Sequence, residues 1–362
     1  MTEKVAIVGT VGVPGRYGGF ETLAENLVRY HHDNELPGKL IVYCSGCHYT
    51  DRPAQFLGSD LRYIPLRANG VQSILYDSWS MIDARLRGCG VVVCLGSSAG
   101  VMLPIFRIFS AARVVSNVDG MEWRRGKWSW FARALLKFLE WLTVRCSHVV
   151  IADNECVARY IERRYRRGCE LIEYGGDHAT RAIGDGLQDF DLPDSYALGL
   201  CRIEPENNVA LILQAFSKAD AGDLVFVGNW LSSEYGRSLY TEYSKLHNIR
   251  LLGPVFDGRS LRKIRDNARI YIHGHSAGGT NPSLVEMMHF GIPIVAHDNE
   301  FNRATTEGRA TYFRDASELR QRLVQLDRGD LEDVGPAMNE IALRRYTWGR
   351  IGRLYFDLIS DP

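Results

Sequence analysis

Gly274-His275-Ser276-Ala277-Gly278-Gly279-Thr280-Asn281-Pro282-Ser283-Leu284-Val285-Glu286 follows the apolar run Ile270-Tyr271-Ile272 and leads into an apolar segment ending at Gly291-Ile292-Pro293. That order of residue types predicts a strand, a glycine-rich loop and the start of a helix. Asn281 is suited to cap the helix and Pro282 to its first turn, where a missing N–H costs nothing. The glycines let backbone approach a ligand, and a helix start offers unpaired N–H groups and a positive dipole end. The segment reads as an anion site, for phosphate. An ordinary capped helix, with Ser283-x-x-Glu286 as its capping box and no ligand, fits the same letters.

Outward from this stretch, short apolar strands alternate with helical patterns. In the first half strands are expected at Lys4–Val8, Lys39–Tyr43, Leu61–Ile64, Val91–Leu95, Arg113–Asn117, His148–Ala152 and Cys169–Ile172. Helices are expected at Phe20–His31, Ser73–Arg87, Trp128–Cys146 and Asn154–Arg164. The second half repeats the rhythm from Tyr196–Leu200 to Ile292–Ala296. Such alternation predicts parallel sheets flanked by helices, hence an α/β chain of two doubly wound domains. Gly175–Ser195 is rich in Gly and Asp and lacks apolar periodicity, so it reads as linker. The expected domains are 1–180 and 196–345, with 181–195 between them. Ligands of open α/β folds bind beyond the carboxyl ends of strands, where these glycine loops fall, so the expected site is a cleft between the domains.

The 362 residues suffice for two cores, and a hydrophobic content of 46% with 24% charged residues is ordinary for a globular chain. Formal net charge is zero, so nothing global points to nucleic acid. Residues 101–168 are basic, however, and are interleaved with Trp123, Trp128, Trp130, Phe131 and Trp141. Residues 123–146 suit the headgroup region of a membrane, where aromatics and cations anchor; a core helix with a solvated basic face is the plainer alternative. Met1-Thr2-Glu3-Lys4 leads straight into a strand rather than a secretory signal, and no run of about 18 apolar residues occurs. A cytoplasmic protein, at most resting on a membrane, is expected. The eight cysteines read as reduced thiols. Cys44-Ser45-Gly46-Cys47 lacks a second ligand pair for zinc, so these read as small buried hydrophobes.

The loop after the first strand, Gly9 to Thr22, carries Gly15, Arg16, Tyr17, Gly18 and Gly19. Its spacing is not G-x-G-x-x-G, and the second strand ends in Tyr43-Cys44-Ser45 without a ribose-binding acid. This argues against a dehydrogenase and for a substrate-contacting loop. Asp119 and Glu122, in Asn117-Val118-Asp119-Gly120-Met121-Glu122-Trp123, are the acid/base candidates of the first half, against a purely turn-shaping Asp119 beside Gly120. Arg202, after the strand Tyr196–Leu200, can bridge phosphate oxygens with two N–H groups. Asp189-Phe190-Asp191 matches the letters of a metal-binding D-x-D but lies in the linker, and it is discounted. His273 and His275 flank the glycine loop without an acidic or Cys partner, which favours hydrogen bonding to sugar or phosphate over metal ligation.

Together these segments, with Arg202-Ile203-x-Pro205-Glu206-Asn207-Asn208 and Gly228-Asn229-Trp230, resemble bacterial rhamnosyltransferases of glycosyltransferase family four. Tyr346-Thr347-Trp348 resembles the start of the C-terminal helix (346–362) that crosses back to the first domain in this GT-B fold. The resemblance implies metal-independent, retaining transfer from a nucleotide sugar, the donor mainly on the C-terminal domain and the acceptor mainly on the N-terminal one. By resemblance Arg202 binds phosphate, Glu286 is the second glutamate of E-x7-E and holds the ribose, and Ser283 and Leu284 give backbone N–H groups to the diphosphate. The family's usual Lys is replaced by Asn207, and its first glutamate by Gly278. Charge neutralisation then leans on Arg202, the helix dipole and Arg16, while loop backbone from Gly278 through Gly279 and Thr280 to Asn281 meets the sugar. His275 adds hydrogen bonding there.

The expected activity is transfer of a deoxysugar, L-rhamnose from dTDP-L-rhamnose, onto a lipid-linked oligosaccharide for capsule, O-antigen or exopolysaccharide. No covalent nucleophile is required, and Asp119 would orient the acceptor or stabilise an oxocarbenium-like centre. No metal or other cofactor and no nucleic-acid partner is expected. The rivals are another UDP- or GDP-sugar specificity in the same fold, a sugar-nucleotide epimerase, and a non-catalytic sugar-nucleotide or lipid-docking subunit.

Overall fold

The structure is a computed structural model describing residues 4–15, 18–118, 120–124, 128–181, 190–218, 222–327 and 329–360, with backbone alone at 326 and 327. Its contacts divide the chain into two units. One holds the chain up to Glu173 and again from Trp348, and the other spans Tyr174–Thr347.

In the first unit β1 (Lys4–Val8) leads to α1 (Gly19–Asp33), β2 (Lys39–Ser45), β3 (Gln55–Phe56), β4 (Ser59–Ile64), α2 (Ser73–Leu86) and β5 (Val91–Leu95). Then come α3 (Leu103–Phe109), β6 (Arg113–Val118), α4 (Trp130–Cys146), β7 (Val149–Ala152), α5 (Glu155–Tyr165) and β8 (Glu170–Leu171). Among the described residues the sheet order is β3-β4-β2-β1-β5-β6-β7-β8, parallel except for β3. The central strands are continuous apolar runs because both faces are covered: Ala6, Val8, Val92 and Val93 are all buried. The chain moves one way from β1 to β2 and the other way from β4 onward. Right-handed crossovers therefore put α1 on one face and α2 to α5 on the other. Side chains cap the later helices: Ser129 accepts from the Ala132 N–H and Asn154 from the Cys156 N–H. The sequence pattern does not separate α3, because a seven-residue apolar stretch has too few turns to show a period.

The second unit runs β9 (Tyr196–Leu200), α6 (Val209–Phe216), β10 (Leu224–Val227), α7 (Glu234–Tyr243), β11 (Ile249–Leu252), α8 (Gly258–Asp266) and β12 (Ala268–His273). It continues through α9 (Pro282–Met288), β13 (Ile294–His297), α10 (Glu300–Thr305), β14 (Thr311–Phe313), α11 (Ala316–Asp327) and α12 (Val334–Arg345). Its strands are all parallel, in the order β11-β10-β9-β12-β13-β14. The core beneath α6 and α11 gathers Phe216, Phe226, Trp230 and Phe313. Gly199 makes room for it, since a Cβ there would stand 2.5 Å from the Phe226 ring.

The last helix, α13 (Trp348–Ser360), packs with α1 in the first unit. A Cβ on Gly352 would fall 2.3 Å from the Tyr30 ring, and Tyr30 stacks on Phe356 at 5.8 Å. Asn117, near the end of β6, donates from Nδ2 to the Tyr355 hydroxyl at 2.6 Å. Among the described residues no helix is long and apolar enough to cross a membrane.

Candidate active site

The second sheet reverses direction between β9 and β12, adjacent strands whose connections leave toward opposite edges. In doubly wound sheets such a switch point opens a crevice at the strand carboxyl ends, and ligands bind there. The two loops that carry Arg202 and the glycine-rich stretch are the ones that meet here. A 3-10 turn, Pro205–Asn207, follows β9, and Asn208 after it is left-handed at φ 51°. Asn208 donates from Nδ2 to the Gly274 carbonyl at 2.8 Å, and the Ser276 N–H and hydroxyl both donate to the Glu206 carbonyl, at 3.0 and 2.7 Å. Gly274 allows this approach, for a Cβ there would lie 2.2 Å from the Asn207 oxygen.

Arg202 is half-exposed, and its guanidinium reaches Glu204 only at 4.0 Å. Asn207, at the position where the resemblance marks a lost Lys, is buried and donates from Nδ2 to the Arg202 carbonyl at 2.7 Å. It shapes the backbone beneath Arg202. The His275 carbonyl accepts from Asn299 and Asn302 at 2.9 and 3.0 Å, and its ring stacks on His273 at 4.4 Å. Burial drives His273 well below its usual value, with His275 and His297 adding to the effect, so it is neutral. Gly278 has φ +117°, a conformation that side chains rarely adopt, although an added Cβ would meet no more than ordinary contact with Asn281 Nδ2 at 3.6 Å. Gly279 and Thr280 are buried beside it.

The start of α9 departs from the expected capping. Asn281 occupies the N-cap, but among the described residues its side chain makes no capping bond, and Pro282 fills the first turn. The Leu284 N–H donates to the Asn281 carbonyl at 3.1 Å, a tightened first turn that engages one of the two amides expected to face a diphosphate. Ser283 is half-buried beside it. Glu286 does not close a capping box. It pairs with Arg265 on α8 and with His178 Nε2 at 3.4 Å. Burial alone would raise its carboxyl; the Arg265 guanidinium, followed by His178, outweighs burial and holds it down to about 2. Neither partner was legible in the sequence, because Arg265 lies on another helix and His178 in the stretch read as linker.

The first sheet has its own switch point, between β1 and β5. A Cβ on Gly9, at φ +86°, would fall 2.1 Å from the Leu95 oxygen, so the loops after these strands touch. Asp77 of α2 is buried between them. It accepts from Ser98, and its carboxyl also takes the Gly9 N–H. The long loop is tied down further on: Tyr49 donates to the Pro14 carbonyl at 2.9 Å and the Gly15 N–H to Glu25 Oε2 at 2.7 Å. Gly18 is the N-cap of α1 and Gly19 its first residue. Gly12 presses on Cys44, which is buried and whose thiol burial pushes up to about 12; Cys47 is exposed, which corrects the expectation that both are buried. Arg16, Tyr17 and Asp119 lie outside the described residues, as do Asp189 and two of the cations expected at a membrane, Arg125 and Lys127. Glu122 accepts from the Trp128 indole at 3.3 Å and thus helps shape its loop. Glu140, which sequence reasoning passed over, is buried and accepts from Trp123, Tyr160 and Tyr165.

Two family models match the chain: a domain of unknown function (DUF1972) over residues 2–177, and glycosyl transferases group 1 over residues 195–327. No curated protein matches. Among solved structures, sucrose-phosphate synthase from Thermosynechococcus elongatus superposes with a TM-score of 0.80 at 15% identity, covering 99% of both chains. HepE from Anabaena, in complex with UDP, gives a TM-score of 0.72 at 12% identity, covering 99% of this chain and 100% of that one. TarM gives 0.72 at 10% identity, covering 100% of this chain and 99% of that one. At such identities the likeness is one of fold. The fold is thus the two-domain α/β fold of the GT-B glycosyltransferases, and residues 195–327 match glycosyl transferases group 1.

Proposed function

We propose that this chain is a retaining glycosyltransferase that moves a deoxysugar, L-rhamnose from dTDP-L-rhamnose, onto a lipid-linked oligosaccharide in surface-polysaccharide assembly. The observation that carries the reading is the meeting of the Arg202 loop and the Gly274–Asn281 loop at the β9/β12 switch point. There Arg202 would neutralise the diphosphate, with Asn207 fixing its backbone and the Ser283 amide completing the contact; the Leu284 amide would join it only by giving up its bond to the Asn281 carbonyl. Glu286, anchored by Arg265, would receive the ribose hydroxyls. The φ of Gly278 supports backbone contacts to the sugar, because a side chain is disfavoured there. His275 and the stretch from Gly279 to Asn281 would complete that surface.

In the proposed reaction the acceptor hydroxyl attacks the anomeric carbon on the face the diphosphate leaves. The new C–O bond forms as the sugar–phosphate bond breaks, and a departing phosphate oxygen takes the hydroxyl proton. Arg202 stabilises the charge that develops on that oxygen. Asp119 would orient the acceptor, and the Gly15–Gly19 loop with Arg16 and Tyr17 would contact acceptor or phosphate. The reading includes metal independence, work at the cytoplasmic face of the inner membrane, and membrane contact through residues 123–146.

A donor screen of the purified chain on a lipid-linked disaccharide panel tests this reading. Turnover of dTDP-rhamnose that survives EDTA is expected. Silence toward every nucleotide sugar, with no calorimetric binding of dTDP, UDP or GDP, would refute the donor site. Arg202→Ala should weaken diphosphate binding, and unchanged affinity would remove its role. A second reading, transfer from a UDP-sugar, draws support from HepE, which was solved with UDP and with UDP-glucose. Turnover of UDP-glucose in place of dTDP-rhamnose would select it.

A further inference from the structure

α2, α3 and α4 lie on one face of the first sheet, and each carries an apolar stripe on its outward side. On α2, Leu75, Trp79, Ile82 and Leu86 recur at helical spacing and are exposed, Leu86 at 79%. Tyr76, Met81 and Ala84 fill the opposite side and are buried. A surface helix is ordinarily polar where this one is apolar. On α3 the exposed positions are Ile105, Ile108 and Phe109, and on α4 they are Phe131, Leu135, Phe138 and Trp141. Trp130, at the start of α4, is 81% exposed. The stripes are continuous. Ile82 and Leu86 share a shallow depression of about 170 Å3 with Ile105 and Phe109, Arg85 donates to the Phe109 carbonyl at 3.0 Å, and α3 packs on α4. An apolar surface spread over three helices marks an interaction site, unlike isolated exposed side chains.

Charge selects the occupant. Arg85, Arg107, Arg133, Lys137 and Arg145 of these helices are exposed. Their acids are withdrawn: Asp77 and Glu140 are buried, and Asp83 is occupied by Arg87, Arg62 and the Tyr43 hydroxyl. An apolar, cationic face with aromatic rings among the cations complements an anionic bilayer interface. A second copy of the chain would bring two cationic faces together, and repulsion disfavours that pairing. We infer that the outward face of α2, α3 and α4 docks this chain on an anionic lipid bilayer, lying on the surface without crossing it. The inference enlarges the contact proposed for residues 123–146 and rests on that reading only for α4.

The test is sedimentation of the full chain with vesicles of phosphatidylglycerol and phosphatidylcholine, against phosphatidylcholine alone. Binding is expected to the anionic vesicles, at least tenfold above the neutral ones. Leu86→Asp with Ile108→Asp, both outside residues 123–146, should lower binding by roughly tenfold or more. Arg107→Gln, Lys137→Gln and Arg145→Gln together should lower it about a hundredfold. These three side chains are exposed, so this second set carries the test if the first fails to fold by circular dichroism. Absence of vesicle binding, or binding unmoved by both sets, would overturn the inference. So would a concentration-dependent dimer that the same substitutions dissolve in the absence of lipid. Turnover of a soluble acceptor analogue is read separately: vesicle binding without any sugar transfer keeps this inference and removes the proposed function.

Discussion

Asn208 and Gly274 are joined by a hydrogen bond from the Asn208 side chain to the Gly274 carbonyl, 2.8 Å long and spanning 66 residues of sequence. It fastens the loop after β9 to the loop after β12 at the point where the second sheet changes direction. Asn208 also sits in the left-handed region, which Asn tolerates better than most residues. Asn208→Ala should therefore lose about 1–2 kcal/mol, part from the bond and part from the backbone. Asn208→Gly removes only the bond. In urea denaturation the glycine variant should recover part of the loss, while both variants bind nucleotide diphosphate roughly tenfold more weakly. Equal affinity in all three proteins would mean that the tie does not organise the site.

Gly278 poses a backbone question. Its nearest neighbour to an added Cβ is Asn281 Nδ2 at 3.6 Å, so there is room, but φ is +117°. Gly278→Ala should cost about 1–2 kcal/mol through the backbone alone. Gly278→Glu should not improve donor turnover, although it restores the carboxylate of the wider family. A glutamate variant of full stability and higher turnover would show that the loop tolerates a side chain there.

Glu286 ties stability to acid pH. Its folded pKa, about 2, lies below the ordinary 4.5, so the charged pair stabilises the second unit fully above about pH 4.5. The contribution is lost as pH falls toward 2, on the order of 3 kcal/mol in all. Glu286→Gln leaves the buried Arg265 without its counter-charge and should cost about 3–5 kcal/mol at pH 7. It should also flatten the acid limb of the stability curve between pH 5 and 3. An unchanged acid limb in the variant would assign that limb to other groups.

Asp77 runs the other way. Burial raises its carboxyl from 3.8 to about 7, against the opposing bonds from Ser98 and the Gly9 N–H. A raised folded value means that stability is complete below the unfolded pKa and declines as pH climbs from about 4 toward 7. Asp77→Asn keeps the shape and an acceptor but cannot ionise. The variant should match the parent at pH 4 and exceed it at pH 8 by on the order of 2–4 kcal/mol. A variant less stable than the parent at pH 8 would show that the charge itself is needed between the Gly9 and Ser98 loops.

The sequence by itself determined the element types and their alternation, since apolar runs such as Val91–Leu95 and capped helices such as α5 are local patterns. It also marked Arg202 and the Gly274–Glu286 stretch, because glycines and an Arg at strand ends carry chemistry in their own right. It could not order the strands, and strand order is what brings β9 beside β12 and so unites those two stretches. Nor could it pair Glu286 with Arg265 and His178, or show that Gly278 is held at positive φ. The outward stripes of α2 and α3 were invisible for the same reason: periodicity shows that a helix has an apolar side, but only packing shows whether that side is covered. Local propensity fixes the elements, while distances between residues far apart in sequence follow from how the sheets close around their cores.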